Sequence, residues 1–194
     1  MKIVFGGAFN PVTNAHILVC KFIMSNIDAD EFIFLPVSSA YTKSELASNH
    51  HRVNMLKMAT EGIDRVSISK LEIDDSDYLG TYQSLIRLAD KNNCEISFVI
   101  GADNLYNMHK WINIEGILSE FKMIVVGRNK IDIETAINAN PILKKYHNRF
   151  IILKDFEANI SSTGFRFSFN QKHVNDKVYE YIKENGLYRG DYDV

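Results

Sequence analysis

Short apolar runs, each closed by glycine, proline or polar residues and followed by a helical pattern, constrain this chain more than any other feature. Lys2 to Phe5, Glu31 to Val37, Glu95 to Ile100 and Lys122 to Val126 are such runs, Arg149 to Leu153 is a fifth, and Val66 to Ser69 is a shorter one. A continuous apolar run of this length suits a parallel strand covered on both faces. Between them, apolar residues recur at helical spacing: Ile17, Cys20, Ile23 and Met24; Val53 to Thr60, closed by Gly62; Tyr82, Leu85, Ile86 and Ala89; and, in one helix expected to follow Asn104 and run past Trp111, Ile114, Ile117 and Leu118. Residues 132–146 are helical with little pattern, and the acidic stretch Glu72 to Asp77 is loop-like. The expected fold is α/β, a doubly wound parallel sheet spanning residues 1–160. Two helical patterns, about 162–170 and 175–185, form a small C-terminal helical part, residues 161–194.

In such sheets ligands lie beyond the carboxyl ends of the strands, near the point where strand order reverses. Gly6 to His16, the loop after Pro36, Gly101 to Asn104 and Gly127-Arg128 all fall there. The first is the richest: Phe5-Gly6-Gly7-Ala8-Phe9-Asn10-Pro11 leads through Thr13-Asn14-Ala15 to His16, where a helical pattern begins. Gly6-Gly7 is expected to be a tight turn. Taken alone it is equally a strand-to-helix connection or an anion site, since glycines let the backbone approach an anion and a helix N-terminus attracts it. His16, able to add a hydrogen bond or a positive charge, favours phosphate. Neither G-x-G-x-x-G nor G-x-x-x-x-G-K-[ST] is present, which argues against a dinucleotide-cofactor fold or a P-loop enzyme.

Ile160-Ser161-Ser162-Thr163-Gly164-Phe165-Arg166 is the second element. Its hydroxyl residues suit a helix N-cap; with Arg166 one turn later they equally suit a second anion cradle. Two cradles suggest a polyphosphate. Trp111, the only tryptophan, either packs on the sheet or stacks on a flat heterocycle. Asp103 either binds ribose hydroxyls or caps a helix. Lys43 and Arg128 fall at the expected ligand edge, His50 and His51 open a helix, and His109, His147 and His173 carry no signal. No nucleophile-base-acid arrangement and no zinc spacing stands out. Transfer between phosphates depends on positioning and charge stabilisation more than on a base.

With 22 Lys and Arg against 24 Asp and Glu, the net charge of −2 does not favour nucleic acid or an anionic membrane as partner. Cys20 and Cys94, each among apolar neighbours, are expected to be free buried thiols. The N-terminus enters a strand with no charged leader and no apolar run approaches a membrane span, so a cytoplasmic location is expected. Oligomeric state is left open, a homo-oligomer included.

These motifs together resemble the nucleotidyltransferase superfamily with the histidine/threonine-x-glycine-histidine signature, and within it the nicotinate or nicotinamide mononucleotide adenylyltransferases. Gly6 to Pro11 with Thr13 to His16 is similar to the first motif, and Ile160 to Thr163 with Arg166 to the last. Gly101-Ala102-Asp103-Asn104-Leu105 followed by Trp111 is similar to the middle one, and Val178 to Ile182 with Leu187-Tyr188 to the ending. Two departures stand out: Ala8 replaces the usual serine or threonine, and Ala15 the usual glycine.

The resemblance implies a Rossmann-like core and adenylyl transfer from ATP, with Mg²⁺, to a mononucleotide. His16, Lys43 and Arg166 would act at the phosphates. Gly6, Gly7, Ala8, Phe9, Gly101, Asp103, Ile160, Ser161, Ser162 and Thr163 would complete the ATP site. Asn10, Lys43, Thr81, Leu105, Trp111 and Arg128 would bind the mononucleotide. Nicotinate mononucleotide is the favoured acceptor and nicotinamide mononucleotide the alternative. Phosphopantetheine adenylyltransferase and a non-catalytic nucleotide-binding regulator rank behind.

Overall fold

Successive side chains of a strand point to opposite faces, and this alternation divides the core in two. Val4, Ile33, Leu35, Phe98, Ile100, Met123 and Val125 belong to one buried cluster, while Ile3, Phe32, Phe34, Val99, Ile124 and Val126 belong to the other. Both faces are therefore covered, which explains why the strands read as unbroken apolar runs. The structure, a computed structural model, describes residues 1–39, 46–75, 79–92, 94–128, 131–156 and 160–188.

Six strands, β1 (Lys2–Gly7), β2 (Glu31–Pro36), β3 (Val66–Ile68), β4 (Ile96–Gly101), β5 (Lys122–Val126) and β6 (Phe150–Leu153), form one sheet in the order β3-β2-β1-β4-β5-β6. Every pairing is parallel. Strand order reverses between β1 and β4, opening a crevice at their carboxyl ends. The fold is the doubly wound, Rossmann-like one expected.

Helices α1 (Asn14–Asn26) and α2 (Asn49–Thr60) cover one face together with α8 (Ser162–Ser168) and α9 (Asp176–Glu184), through Cys20, Ile23, Met55, Leu56, Phe165, Val178 and Ile182. The other face carries α3 (Thr81–Asn92), α4 (Leu105–Met108), α5 (Ile114–Glu120), α6 (Ile133–Asn138) and α7 (Pro141–Lys145). The C-terminal helices thus share one core with β1 and β2. Tyr181 on α9 ties them to α2, its hydroxyl 2.9 Å from His51 Nδ1 and accepting from Asn54 Nδ2 at 3.2 Å.

Local chemistry accounts for the helix ends. Ser48 caps α2, Asp132 caps α6, and Asn140 caps α7 just before Pro141, whose missing N–H costs nothing at a first helical position. Gly62 takes a φ of +75° just past α2, as a glycine closing a helix does.

Three expectations are corrected. Gly6 and Gly7 are the last residues of β1, paired with Leu35 and Pro36, and do not form a turn. Space explains them: a Cβ on Gly6 would stand 2.8 Å from the Phe98 ring, and one on Gly7 3.2 Å from the Phe9 ring. Trp111 sits between α4 and α5, because Asn113 adopts a left-handed φ of 52° and starts a new helix by accepting from the Gly116 N–H. Cys20 is buried but Cys94, just before β4, is only half-buried; both are free. Among the described residues no helix is long and apolar enough to cross a membrane.

Candidate active site

Two cavities meet over the gap between β1 and β4. The first, about 330 Å³, is bordered by His16, Arg128, Phe156, Ile160, Ser161, Ser162 and Thr163. The second, about 210 Å³, is bordered by Gly7, Val37, Glu72, Thr81, Phe98 and Trp111. Phe5, Gly6, Val99, Ile100, Gly101 and Asn104 line both. A ligand with two heterocyclic ends and phosphates between them has room across the pair.

The turn from Ala8 to Thr13 is held in place from outside. Arg52 on α2 is fully buried and donates from Nε to the Ala47 carbonyl at 3.0 Å, from Nη1 to the Ala8 carbonyl at 2.7 Å, and from Nη2 to the Val37 carbonyl and Asn49 Oδ1, both at 2.6 Å. Asn10, 3% exposed, accepts at Oδ1 from the Ala47 N–H and the Tyr188 hydroxyl. Burial raises the Tyr188 pKa, so this phenol keeps its proton. Arg166 on α8 donates from Nη1 to the Asn10 carbonyl at 2.5 Å, and the Ser162 hydroxyl donates to the Pro11 carbonyl at 2.8 Å. Phe9 is buried at a φ of 46°, a left-handed backbone that costs a bulky residue on the order of 1 kcal/mol or more and persists because these contacts over-determine it. Asn10-Pro11 is a cis peptide.

His16 lies in the first turn of α1 with its ring against Phe5 and Phe9, centroids 5.9 and 5.2 Å away. Its Nδ1 accepts the Thr13 N–H at 2.9 Å. A ring nitrogen that accepts a backbone N–H has no proton, so in the neutral ring the proton sits on Nε2. Burial, reinforced by Arg128, lowers the His16 pKa to about 4. The histidine therefore offers a hydrogen bond, and the positive charge considered from the sequence is not what this site provides.

On the far wall, Arg128 Nη1 stands 3.6 Å from Asp103 Oδ2. Asp103 Oδ1 is buried with no hydrogen-bond partner among the described residues, folded over Gly101, where a Cβ would come within 2.5 Å of it. It caps no helix. A buried acceptor without a donor is costly unless a ligand supplies one.

Set beside known proteins, the chain matches the cytidylyltransferase-like family profile over residues 4–167. The chain belongs to the cytidylyltransferase-like family. A protein of Clostridium acetobutylicum named "Probable nicotinate-nucleotide adenylyltransferase" is 32% identical to it, covering 96% of this chain and 98% of that one. One of the same name from Endomicrobium trichonymphae is 31% identical, covering 96% and 97%. Among solved structures, the Plasmodium falciparum nicotinic acid mononucleotide adenylyltransferase complexed with NaAD superposes with a TM-score of 0.81 over 99% of this chain and 98% of that one. At 21% identity that likeness speaks for the fold.

Within this cytidylyltransferase-like chain the expected site residues do not all reach the cavities, and Asp103 and Arg166 border neither of them. Gly6, Gly7, His16, Gly101, Thr81, Trp111, Arg128, Ile160, Ser161, Ser162 and Thr163 border the cavities. Arg128 borders the first cavity and not the second, where the mononucleotide assignment would put it, because it follows β5 on the His16 side. Ser161 also caps α8, its hydroxyl accepting from the Gly164 N–H at 3.0 Å.

Phe9, Asn10 and Leu105 stay out: Phe9 and Leu105 have their side chains in the core, and the Asn10 amide is occupied by Ala47 and Tyr188. The Ala8 carbonyl is engaged by Arg52. Lys43 lies outside the described residues. Phe156 and Glu72 were not singled out from the sequence, whereas Asn104 and Gly127 fall in stretches placed at the ligand edge without a role of their own. Asn104 and Gly127 had a signal, since each follows a strand end. Glu72 had none, its acidic neighbours making it read as loop.

Proposed function

We propose that this chain transfers the adenylyl group of ATP to nicotinate mononucleotide, giving nicotinate adenine dinucleotide and pyrophosphate, a step of NAD biosynthesis. Two joined cavities at the β1/β4 crevice carry this reading, one bordered by hydroxyls, His16 and Arg128, the other by Trp111 and Thr81. The names of the relatives support it.

ATP would occupy the first cavity. The buried Asp103 oxygen supports a role in accepting ribose hydroxyls, and Ser161, Ser162 and Thr163 face where phosphates would run. Arg166 Nη2 lies 3.3 Å from the Thr163 hydroxyl; its guanidinium, without a carboxylate partner among the described residues, is suited to phosphate oxygens. Lys43 would join it. The mononucleotide ring would lie in the second cavity against Trp111, which Phe98 holds edge-on at 6.2 Å.

The mononucleotide 5′-phosphate then attacks the α-phosphorus in line. A new P–O bond forms there as the bond to the bridging oxygen breaks, and pyrophosphate leaves with the electron pair. With a second pKa of about 6 the nucleophile is already ionised, so no protein base is needed. Neutral His16 would donate from Nε2 to charge developing on the phosphates. Mg²⁺ would arrive on ATP, held by phosphate oxygens and water. Among the described residues no group of three or more His, Cys, Asp or Glu is placed to hold a metal.

We read residues 1–160 as the nucleotidyltransferase core, 161–194 as the part that completes the ATP site, and the cytoplasm as its place of action. Pyrophosphate release assayed with MgATP and nicotinate mononucleotide, nicotinamide mononucleotide or phosphopantetheine tests the reading. Turnover with a pyridine mononucleotide alone is expected. Turnover only with phosphopantetheine, or ATP binding with no turnover, would sink it.

A further inference from the structure

Tyr188 borders neither of the two cavities, yet its hydroxyl reaches the turn beside them, donating to Asn10 Oδ1 across 2.8 Å. Local geometry turns it back there. Gly186 follows α9 at a φ of 61°, the Leu187 N–H donates to the Ile182 carbonyl at 3.0 Å, and Tyr188 itself takes a left-handed φ of 60°. A bulky residue keeps that backbone only where its surroundings hold it. Two contacts do so here: the hydrogen bond to Asn10, and edge-on packing of the ring against Phe165 with centroids 6.4 Å apart.

Asn10 joins this phenol to Arg166. Its side-chain oxygen accepts from Tyr188 and from the Ala47 N–H at 3.0 Å, while its main-chain carbonyl accepts from Arg166 Nη1. Phe165, against which the Tyr188 ring packs, immediately precedes Arg166 on α8. Tyr188 thus braces the guanidinium twice, through the acceptor that orients it and through the helix that carries it. Burial raises the Tyr188 pKa while Arg52 and Arg166 oppose the rise, and the protonated phenol is the donor this arrangement needs.

We propose that Tyr188 is a positioning residue for adenylyl transfer: its hydroxyl fixes Asn10, whose carbonyl aims Arg166 at the phosphates. The inference rests on reading Arg166 as a phosphate contact. A long, half-buried side chain has many rotamers, and anchoring Nη1 on a fixed carbonyl leaves Nη2 beside the hydroxyl of Thr163, which borders the first cavity. Pinning it beforehand matters, because charge stabilises a transition state best when the group is already in place.

Tyr188→Phe tests this, since it removes the hydroxyl, keeps the ring on Phe165 and leaves the Ala47 N–H on Asn10 Oδ1. It should fold and melt within about 5 °C of wild type. With MgATP and nicotinate mononucleotide varied in turn, kcat is expected to fall roughly tenfold while both KM values stay within about threefold. Tyr181→Phe is the structural control: it strips a phenol hydroxyl from α9, the one bonded to His51 and Asn54, and should hold kcat within about twofold of wild type. The deciding readout is a double-mutant cycle. In an Arg166→Ala background, Tyr188→Phe should cost less than about twofold in kcat.

A Tyr188→Phe kcat within about twofold of wild type overturns the inference. So does an equal loss in Tyr181→Phe, or the full loss repeated in the Arg166→Ala background. Failure of the underlying reading looks different: a wild-type chain that releases no pyrophosphate, or an Arg166→Ala variant with unchanged kcat, removes Arg166 from the reaction and the role of Tyr188 with it.

Discussion

Arg52 Nη1 donates to the main-chain carbonyl of Ala8 across 2.7 Å and 44 residues of sequence. Through this bond a buried guanidinium on α2 fixes the turn that leaves β1. The absent hydroxyl at position 8 is thus not what shapes the turn; the carbonyl is. Replacement by lysine keeps the charge but cannot reach four acceptors at once. Leaving two of them unmet at about 1–3 kcal/mol each predicts that Arg52→Lys melts roughly 5–15 °C lower, as calorimetry would measure. An unchanged melting temperature would show that the network is dispensable.

Arg166 touches the same turn at the Asn10 carbonyl but is only partly buried. Its removal should affect turnover more than folding. Arg166→Ala is expected to lower kcat by ~10²-fold or more, the usual scale for a lost transition-state charge contact, with a melting shift of only a few degrees. A large melting shift with kcat intact would reassign it to structure.

His16→Ala should likewise reduce kcat by ~10²-fold. It also has a signature in stability against pH. Free imidazole titrates near 6.5, whereas in the folded chain burial and Arg128 bring His16 to about 4. Between those values the unfolded chain binds a proton that the native chain does not. The stabilisation is therefore complete above about 6.5 and is lost as pH falls through about 4, amounting to at most ~3 kcal/mol. Urea denaturation from pH 7 to 4 should show a shallower decline for His16→Ala than for wild type, and parallel declines would contradict the assignment.

Gly6 lines both cavities and has the Phe98 ring beside it. Gly6→Ala should overpack this point and destabilise by about 1–3 kcal/mol. Because Phe98 also packs against Trp111, mononucleotide KM should rise. Adding Phe98→Leu should restore much of the stability; a double variant no better than Gly6→Ala would locate the strain elsewhere.

Trp111→Ala should raise the KM for the mononucleotide severalfold and leave the KM for ATP nearly unchanged. Steady-state kinetics with each substrate varied would separate the two. An effect confined to ATP would rule out the stacking role.

The sheet was legible in the sequence because strand and helix periodicities are local. Gly101 to Asn104 and Gly127-Arg128 were found the same way, by asking where strands end. Arg52 escaped because an arginine in an amphipathic helix reads as surface, whereas the carbonyls of Ala8 and Val37, 44 and 15 residues away, give its buried guanidinium acceptors that helix periodicity does not reveal. Leu105 shows the converse: the stretch it follows borders the cavities through Gly101 and Asn104, while its own side chain turns into the core.

The sequence by itself determined the alternating strands and helices, the glycines that leave room at the crevice, and the hydroxyl-rich segment that caps α8. Tertiary structure decided which of these became a site. It brought Tyr188 to Asn10 across 178 residues and Ser162 to Pro11 across 151, lowered the His16 pKa, and set a lone carboxyl beside Trp111. The reason is physical: propensity and period act over a few residues, whereas burial, protonation and hydrogen-bond satisfaction depend on whatever the fold packs alongside.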